Sequence, residues 1–462
     1  MKQGRRLVVG LGSLLLGAAG QIMILPNAGA APPASPLSPL TGLDRDLAAI
    51  AADPLHPMSG LSVLAIRGGK LVYQQQFGLR HIAADKAASL PVTPATMFRI
   101  ASISKMMTTF GLMKLVEEGK LDLDQDAGRY LGFPLRNPHF PDRPVTLRSL
   151  LTHTSSLRDA AGYSWGADTA LKDILVPGAR LYGDGLMWAD KAGPGAYFTY
   201  CNLNWGVIGT IMEKASGERF DRLMRRLLLA PMGVRGGYNP AEFPAAEAAD
   251  IATLYRKRST DTEIWDPAGP WIAQADDYRA REPREPAGIE HYDIGSNATL
   301  FSPTGGLRIS AADMGKVMLM LMNQGSYAGK QILKPETIAL MFTKQWQADG
   351  KGGNGDTWRG FYRIWGLGNQ QFSARLDPAS GNGLVEGAGF DAAGHLGDAY
   401  GLLSAFVVDF HNKNGMVTLI GGTGTDPEKY PGQYSALSRF EEKVLTTLYR
   451  GAIDAPQAGT VH

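Results

Sequence analysis

The sequence predicts an α+β fold. One mixed domain, with an antiparallel sheet flanked by helices, is assembled from both ends of the chain, and a mostly helical region is inserted between them. Three observations predict it: strand-like runs lie near both ends, helical stretches fill the middle, and no internal repeat is visible. The 462 residues suffice for two or three domains, or one large domain with an insertion, at about 100–200 residues each. With 44% hydrophobic and 19% charged residues, the composition is that of a globular chain rather than a disordered one.

The elements follow in order. Lys2, Arg5 and Arg6 precede an apolar run from Leu7 to Leu25, then Ala28-Gly29-Ala30 and a Pro-rich "APPASPLSP". This pattern predicts a secretory signal peptide over residues 1–30 and a linker over 31–42, with export to the periplasm or medium and a mature start near Ala31. An uncleaved anchor is the alternative, but Gly17, Gly20 and Gln21 interrupt the run. Arg5-Arg6 leaves Sec and twin-arginine export both open. No cysteine stands at the end of the run, which excludes lipid attachment there, and no second spanning segment appears later.

The α/β domain is expected to take residues 43–120 and 300–455, and the helical domain 121–299. A short helix starts at Leu43 with Thr41 available as its cap. Two strands flank Gly68-Gly69 as a hairpin. "ASISKMMTTFGLMKLVEEGKLDL" is helical, with Met106, Phe110, Met113 and Leu115 on an apolar face. A second helix runs from about Asn204 to Lys214. Residues 256–290 mix charges, prolines and aromatics and read as a surface excursion or lid. Ser310 caps a further helix that Gly325 stops. "YGLLSAFVVDF" and "GMVTLIGG" form a hairpin turned at Asn414-Gly415, and a last helix covers about Tyr434 to Arg450.

Several function classes are excluded early. A net charge of +2 without a basic run argues against nucleic-acid partners. Cys201, the single cysteine, has no intrachain partner and rules out a thiolate zinc cluster. None of the eight histidines forms H-E-x-x-H, so no metal or cofactor is expected, although carboxylate sites stay open.

Two serines compete for the chemistry. Gly162-Tyr163-Ser164-Trp165-Gly166 fits the G-x-S-x-G elbow, which needs a buried strand before it; "HTSSLRDAA" is polar and supplies none. Ser102 heads Ser102-x-x-Lys105 at the start of a helix, where i and i+3 share a face. A lysine held dry beside a serine loses its proton more easily and can take the hydroxyl proton. Alone, this motif reads as a helix cap plus a solvated lysine. Tyr200-Cys201-Asn202 is the one Y-x-N in the chain, a phenol that can relay protons with an orienting amide. Alone, it reads as a packed loop tyrosine. Gly394-His395-Leu396-Gly397 precedes a strand, and alone it reads as a turn. Cys201 reads as a small buried hydrophobe rather than a rival nucleophile.

In this order, S-x-x-K, Y-x-N and [K/H]-x-G before a strand resemble the serine β-lactamase and penicillin-binding protein superfamily, in its class C-like branch of esterases and D-amino-acid peptidases. "LLTHTSSL", "PGAYFTYCNLNWGVIGTIME" and "FSPTGGLRISAADMGKVM" add to the resemblance, which covers roughly residues 45 to 450. It implies a β-lactamase/transpeptidase-like fold. It also implies an acylated Ser102, with Lys105 and Tyr200 sharing its proton, and Asn202 positioning Lys105 or the substrate amide. His395 and Gly397 would lie against the substrate. The backbone N–H groups of Ser102 and Asp398 would form the oxyanion hole.

The departure is His395, where β-lactamases and D-alanyl-D-alanine peptidases usually carry lysine. Lys191-Ala192-Gly193 precedes Tyr200, and Lys351-Gly352-Gly353 lies in a polar loop, so neither replaces it. An imidazole mostly neutral at pH 7 grips a carboxylate less well. The resemblance therefore implies a hydrolase of small-molecule esters, amides or peptides, with a class C-like β-lactamase or D-alanyl-D-alanine carboxypeptidase as the alternative. An α/β-hydrolase using Ser164, or a binding protein without turnover, are the rivals. Ser164 is expected in a loop of the helical region, near the substrate entrance. Oligomeric state is not legible.

Overall fold

A computed structural model describes residues 41–260, 262, 264–374, 383–387 and 389–455. The signal peptide and nearly all of the linker lie outside the described residues. Among the described residues nine strands form the main sheet: β1 (Gly60–Arg67), β2 (Lys70–His81), β3 (Leu90–Pro91), β4 (Trp346–Gln347), β5 (Ile364–Trp365), β6 (Gln370–Phe372), β7 (Ala392–Ala399), β8 (Leu402–Asp409) and β9 (Asn414–Ile420). Their order is β4-β5-β6-β7-β8-β9-β1-β2-β3, with every neighbour antiparallel. The two ends of the chain meet at its centre, where Leu61 faces Ile420 and Ile66 faces Gly415.

Five helices build the layers around this sheet: α1 (Thr41–Ala51), α2 (Ile103–Glu117), α3 (Leu203–Ser216), α4 (Ala311–Met322) and α5 (Arg439–Leu448). Alternate residues of β1 feed two cores. Leu64 and Ile66 join α2, α3 and α4 on one face. Leu61, Val63 and Ala65 join Leu43 and Leu47 of α1 and Phe440, Val444 and Leu448 of α5 on the other. The central strands are thus buried on both faces, which explains why "LSVLAI" and "LLSAFVV" show no polar alternation.

The expected hairpin at Gly68-Gly69 joins β1 and β2. Four readings change. Helix α2 has no single apolar face: Ile103 through Met113 are all buried, because it runs between the sheet and α3. The β8–β9 turn is Phe410–Lys413 rather than Asn414-Gly415; Lys413 takes the left-handed backbone (φ 53°) and Asn414 already pairs with Asp409. Helix α5 starts later than Tyr434, because Ser438 and Glu441 form a capping box. The stretch read as an excursion begins as a hairpin, Leu254–Lys257 with Trp271–Ala275, and its first strand pairs in parallel with Gly422–Thr423 beyond β9. Ser310 caps α4 as expected, its hydroxyl accepting from Asp313 N–H at 3.0 Å.

Candidate active site

The strand Met97–Arg99 delivers the chain to α2 through Ala101, a non-glycine residue in the left-handed region (φ 49°). Ser102 follows at the helix start and makes no capping bond to its own helix. Its hydroxyl is engaged elsewhere. Lys105, one turn on and fully buried, donates from Nζ to Ser102 Oγ at 2.9 Å and to the Thr304 carbonyl at 3.0 Å. The helix-cap and solvated-lysine reading therefore fails on both counts. Burial brings the Lys105 ammonium down to about 7, against the nearby Asp159 charge, which supports it.

The Ser102 hydroxyl acts to lower the Tyr200 phenol, but burial outweighs it and pushes the phenol upward, so it is protonated at neutral pH. Its ring lies 4.9 Å from Lys105 Nζ. His153 and Tyr362 stack on it at 4.4 and 4.8 Å. His153 Nδ1 accepts the Cys201 N–H at 3.0 Å, so the ring stays neutral and anchors the tyrosine turn.

Among the described residues Asn202 makes no hydrogen bond to Lys105. Its Nδ2 donates to Asp159 Oδ2 at 2.8 Å, and its Oδ1 accepts from the Thr304 hydroxyl at 2.9 Å. Thr304 thus links the two, hydroxyl to Asn202 and carbonyl to Lys105. Asp159 also accepts the backbone N–H groups of Asn202 and Leu203 at 2.9 Å and the Cys201 thiol. It is a carboxylate from a distant loop seated on the N-terminus of α3. Cys201 is buried with its thiol pushed well up, an inert core residue as expected.

β7 brings the third group. β6 pairs only with Ala392–Gly394, so from His395 onward that edge of β7 has no strand partner among the described residues. Gly397 allows the strand to lie against the serine turn: a Cβ there would sit 2.6 Å from the Ile100 carbonyl oxygen and 2.4 Å from Ser404 Oγ. Asp398, next along, has an exposed side chain. His395 is buried, its ring 6.4 Å from that of Tyr200. Its Nδ1 lies 2.6 Å from the Leu396 carbonyl, which only accepts, so Nδ1 carries the proton and Nε2 presents a lone pair. Nε2 has no partner. Burial and then the Lys105 charge bring this imidazole to about 3, so it stays neutral.

Ser164 stands apart, exposed in a loop with no strand before it. Sequence reasoning missed Asp159, Thr304, His153 and Tyr362. His153 and Asp159 lie in "HTSSLRDAA" and Thr304 in "FSPTGGLRIS", but no local signal sets them apart from their neighbours.

A family model described as Beta-lactamase matches residues 47–437. The chain belongs to the beta-lactamase family. Among curated members, penicillin-binding protein 4* of Bacillus subtilis is 31% identical over 183 residues, 39% of this chain and 37% of that one. Esterase EstB of Burkholderia gladioli is 31% identical over 210 residues, 42% and 50% of the two chains. A putative D-alanyl-D-alanine carboxypeptidase of Escherichia coli is 26% identical over 65% of this chain and 67% of its own. The first two matches span half or less of those relatives' lengths. Among solved structures, an octameric penicillin-binding protein homologue from Pyrococcus abyssi aligns with a TM-score of 0.59 at 25% identity, over 85% of this chain and 75% of that one. SurE aligns with a TM-score of 0.59 at 18% identity, over 91% and 77%, a likeness of fold. The mixed fold with its antiparallel sheet is that of the beta-lactamase and penicillin-binding protein structures.

Proposed function

We propose that this beta-lactamase family member is a serine hydrolase that forms an acyl-enzyme through Ser102 and cleaves ester or amide bonds. The observation that carries the reading is the buried Lys105 amine, 2.9 Å from Ser102 Oγ, with its pKa near 7. As a neutral amine at working pH it takes the Ser102 proton while Oγ bonds to the substrate carbonyl carbon. The carbonyl electrons move onto oxygen, held by the N–H groups of Ser102 and Asp398. Collapse expels the leaving group, which receives the proton from Lys105 by way of the Tyr200 phenol. Water then repeats the sequence on the acyl-serine.

His395 sharpens the substrate class. As a neutral acceptor, its Nε2 welcomes an N–H or O–H donor and repels a carboxylate. This favours esters and amides over substrates whose carboxylate is gripped at this position. The names of the EstB and carboxypeptidase relatives agree with hydrolysis of esters or peptides. Export belongs to the same proposal: N-terminal sequencing of the mature protein should begin near Ala31.

The test is Ser102→Ala and Ser164→Ala made separately and assayed on 4-nitrophenyl acetate, with intact-mass detection of the acetylated protein. Ser102→Ala should abolish turnover and acylation. Full activity there, with loss in Ser164→Ala, would overturn the proposal. Strong turnover of a chromogenic cephalosporin would move the substrate class to β-lactams.

A further inference from the structure

The strand Met97–Arg99 pairs with Arg308–Ser310, and the register sets Arg99 directly opposite Arg308. Like charges in that position repel. One carboxylate answers one of them. Arg308 is buried and donates Nε and Nη2 to Asp276 at 2.9 and 2.7 Å, and Nη1 to the Gly306 and Tyr238 carbonyls. Asp276 also accepts the Tyr278 hydroxyl at 3.0 Å, so both of its oxygens are occupied.

Asp276 also supports the Arg99 charge from a distance, but among the described residues no carboxylate forms an ion pair with Arg99, so two guanidinium groups share one carboxylate. Its Nε donates to the Gly305 carbonyl at 3.3 Å, and its guanidinium lies over the Tyr400 ring at 4.8 Å. Among the described residues its terminal nitrogens donate to nothing, and no carboxylate pairs with it. Burial and then the Arg308 charge disfavour the cation, against the supporting charge of Asp276.

The surroundings supply donors. Tyr400 and Gly401 turn β7 into β8, both in the left-handed region (φ 58° and 83°). That first position normally goes to Asn, Asp or Gly, and a bulky residue there is an outlier that invites a functional explanation. Tyr400 and Tyr163 are each 45% exposed, and neither hydroxyl has a hydrogen-bond partner among the described residues. Tyr163 lies within electrostatic reach of Arg99, Tyr400 and Asp159, and Tyr200 within reach of Tyr163. Arg99 is itself tied to Gly305, the neighbour of Thr304 that holds Lys105. Two tyrosine hydroxyls and the terminal nitrogens of Arg99 are therefore spare donors on the Ser102 side of the molecule, where two guanidinium groups share one carboxylate.

We propose that Arg99, with the Tyr400 and Tyr163 hydroxyls, forms an anion subsite at the mouth of the Ser102 cleft that receives a carboxylate of the substrate. The inference rests on the hydrolase reading for its meaning, and it names the substrate class: esters or amides that carry a carboxylate away from the bond cleaved. Arg99 is a specificity-determining residue here, supplying the charge that the neutral His395 does not.

Two rigid substrate pairs test it, one with the charge on each side of the ester. They are 3-acetoxybenzoate against 3-acetoxybenzamide, and the 4-nitrophenyl monoester of terephthalate against 4-nitrophenyl 4-carbamoylbenzoate. The parent enzyme should favour the carboxylate member of at least one pair in kcat/KM, less so at high salt. Arg99→Gln should lower the carboxylate member about 10-fold or more beyond the carboxamide member, the scale of a charged hydrogen bond. A parent enzyme indifferent to the charge in both pairs, or equal losses in Arg99→Gln, would overturn the subsite. Should Arg99→Gln fail to fold, the exposed pair Tyr163→Phe/Tyr400→Phe should narrow the same preference, and an unchanged preference counts against it. Calorimetric binding of benzoate, against benzamide, to Ser102→Ala reads the subsite without turnover. Benzoate should bind Ser102→Ala more tightly, and equal binding of the two counts against the subsite. Activity surviving in Ser102→Ala would instead defeat the hydrolase reading.

Discussion

At the scale of single residues, the decisive quantity is the state of Lys105. In the proposed mechanism its amine must be free to accept a proton, so kcat/KM on a neutral ester should rise with pH through about 7; a profile flat from pH 5 to 9 would contradict it. The same shift acts on stability. The folded pKa lies below the ordinary 10.5, so between about 7 and 10.5 the unfolded chain binds more protons and stability rises with pH. The melting-temperature difference between Lys105→Met and the parent should therefore shrink from pH 6 to pH 10. His395 works in an acid window: with its folded value near 3 against 6.5, stability falls as pH drops from 6.5 toward 3. His395→Gln should flatten that fall in pH-dependent melts. Ser102, Lys105, Tyr200 and His395, which the fold brings together, could be singled out in the sequence because each sits in a short motif. Their protonation could not be read there, since it depends on burial by segments hundreds of residues away. Thr304 and Asp159 were invisible for the same reason: a hydrogen bond across sequence distance leaves no spacing to read.

At the scale of elements, two contacts hold the site together. Asp159 satisfies the N-terminal amides of α3 that no side chain of that helix caps. Asp159→Ala should cost about 1–3 kcal/mol in denaturant unfolding, the range for unsatisfied donors, and should loosen Tyr200 so that kcat falls. Retained kcat with full stability would show that the carboxylate is dispensable. Gly397 sets how closely β7 approaches the serine turn. The Cβ of Gly397→Ala would overlap the Ile100 carbonyl, so the strand must retreat; about 1–3 kcal/mol of destabilisation is expected from overpacking, with a larger loss of activity than of stability. Element boundaries show what sequence patterns carry. The Ser310 cap and the Gly68-Gly69 turn read correctly because both are local signals. The β8–β9 turn did not, because Asn414-Gly415 is a strong turn signal that the sheet register absorbs into β9. The face of α2 could not be read either, since a helix buried all round has no polar side.

At the scale of the whole molecule, one core spans the sheet and the central helices: Leu64 and Val417 cluster with Trp205, Phe220 and Leu147. Urea unfolding followed by tryptophan fluorescence and by far-UV dichroism should give one midpoint. Separate midpoints would mean that the central helices unfold on their own. Hydrogen exchange should be slowest in β1, β8 and β9, the strands buried on both faces. The antiparallel sheet made from both ends was legible in the strand-like runs, whereas the hairpin near residue 254 was hidden by its charges and prolines. The pairing of Leu61 with Ile420 also sets a timetable for biosynthesis. At about 5–20 residues per second, the ribosome releases the partner of β1 some tens of seconds after β1 itself emerges. Throughout that interval β1 has only its hairpin partner β2, and its other edge, on a strand apolar on both faces, stays open as a substrate for holding chaperones.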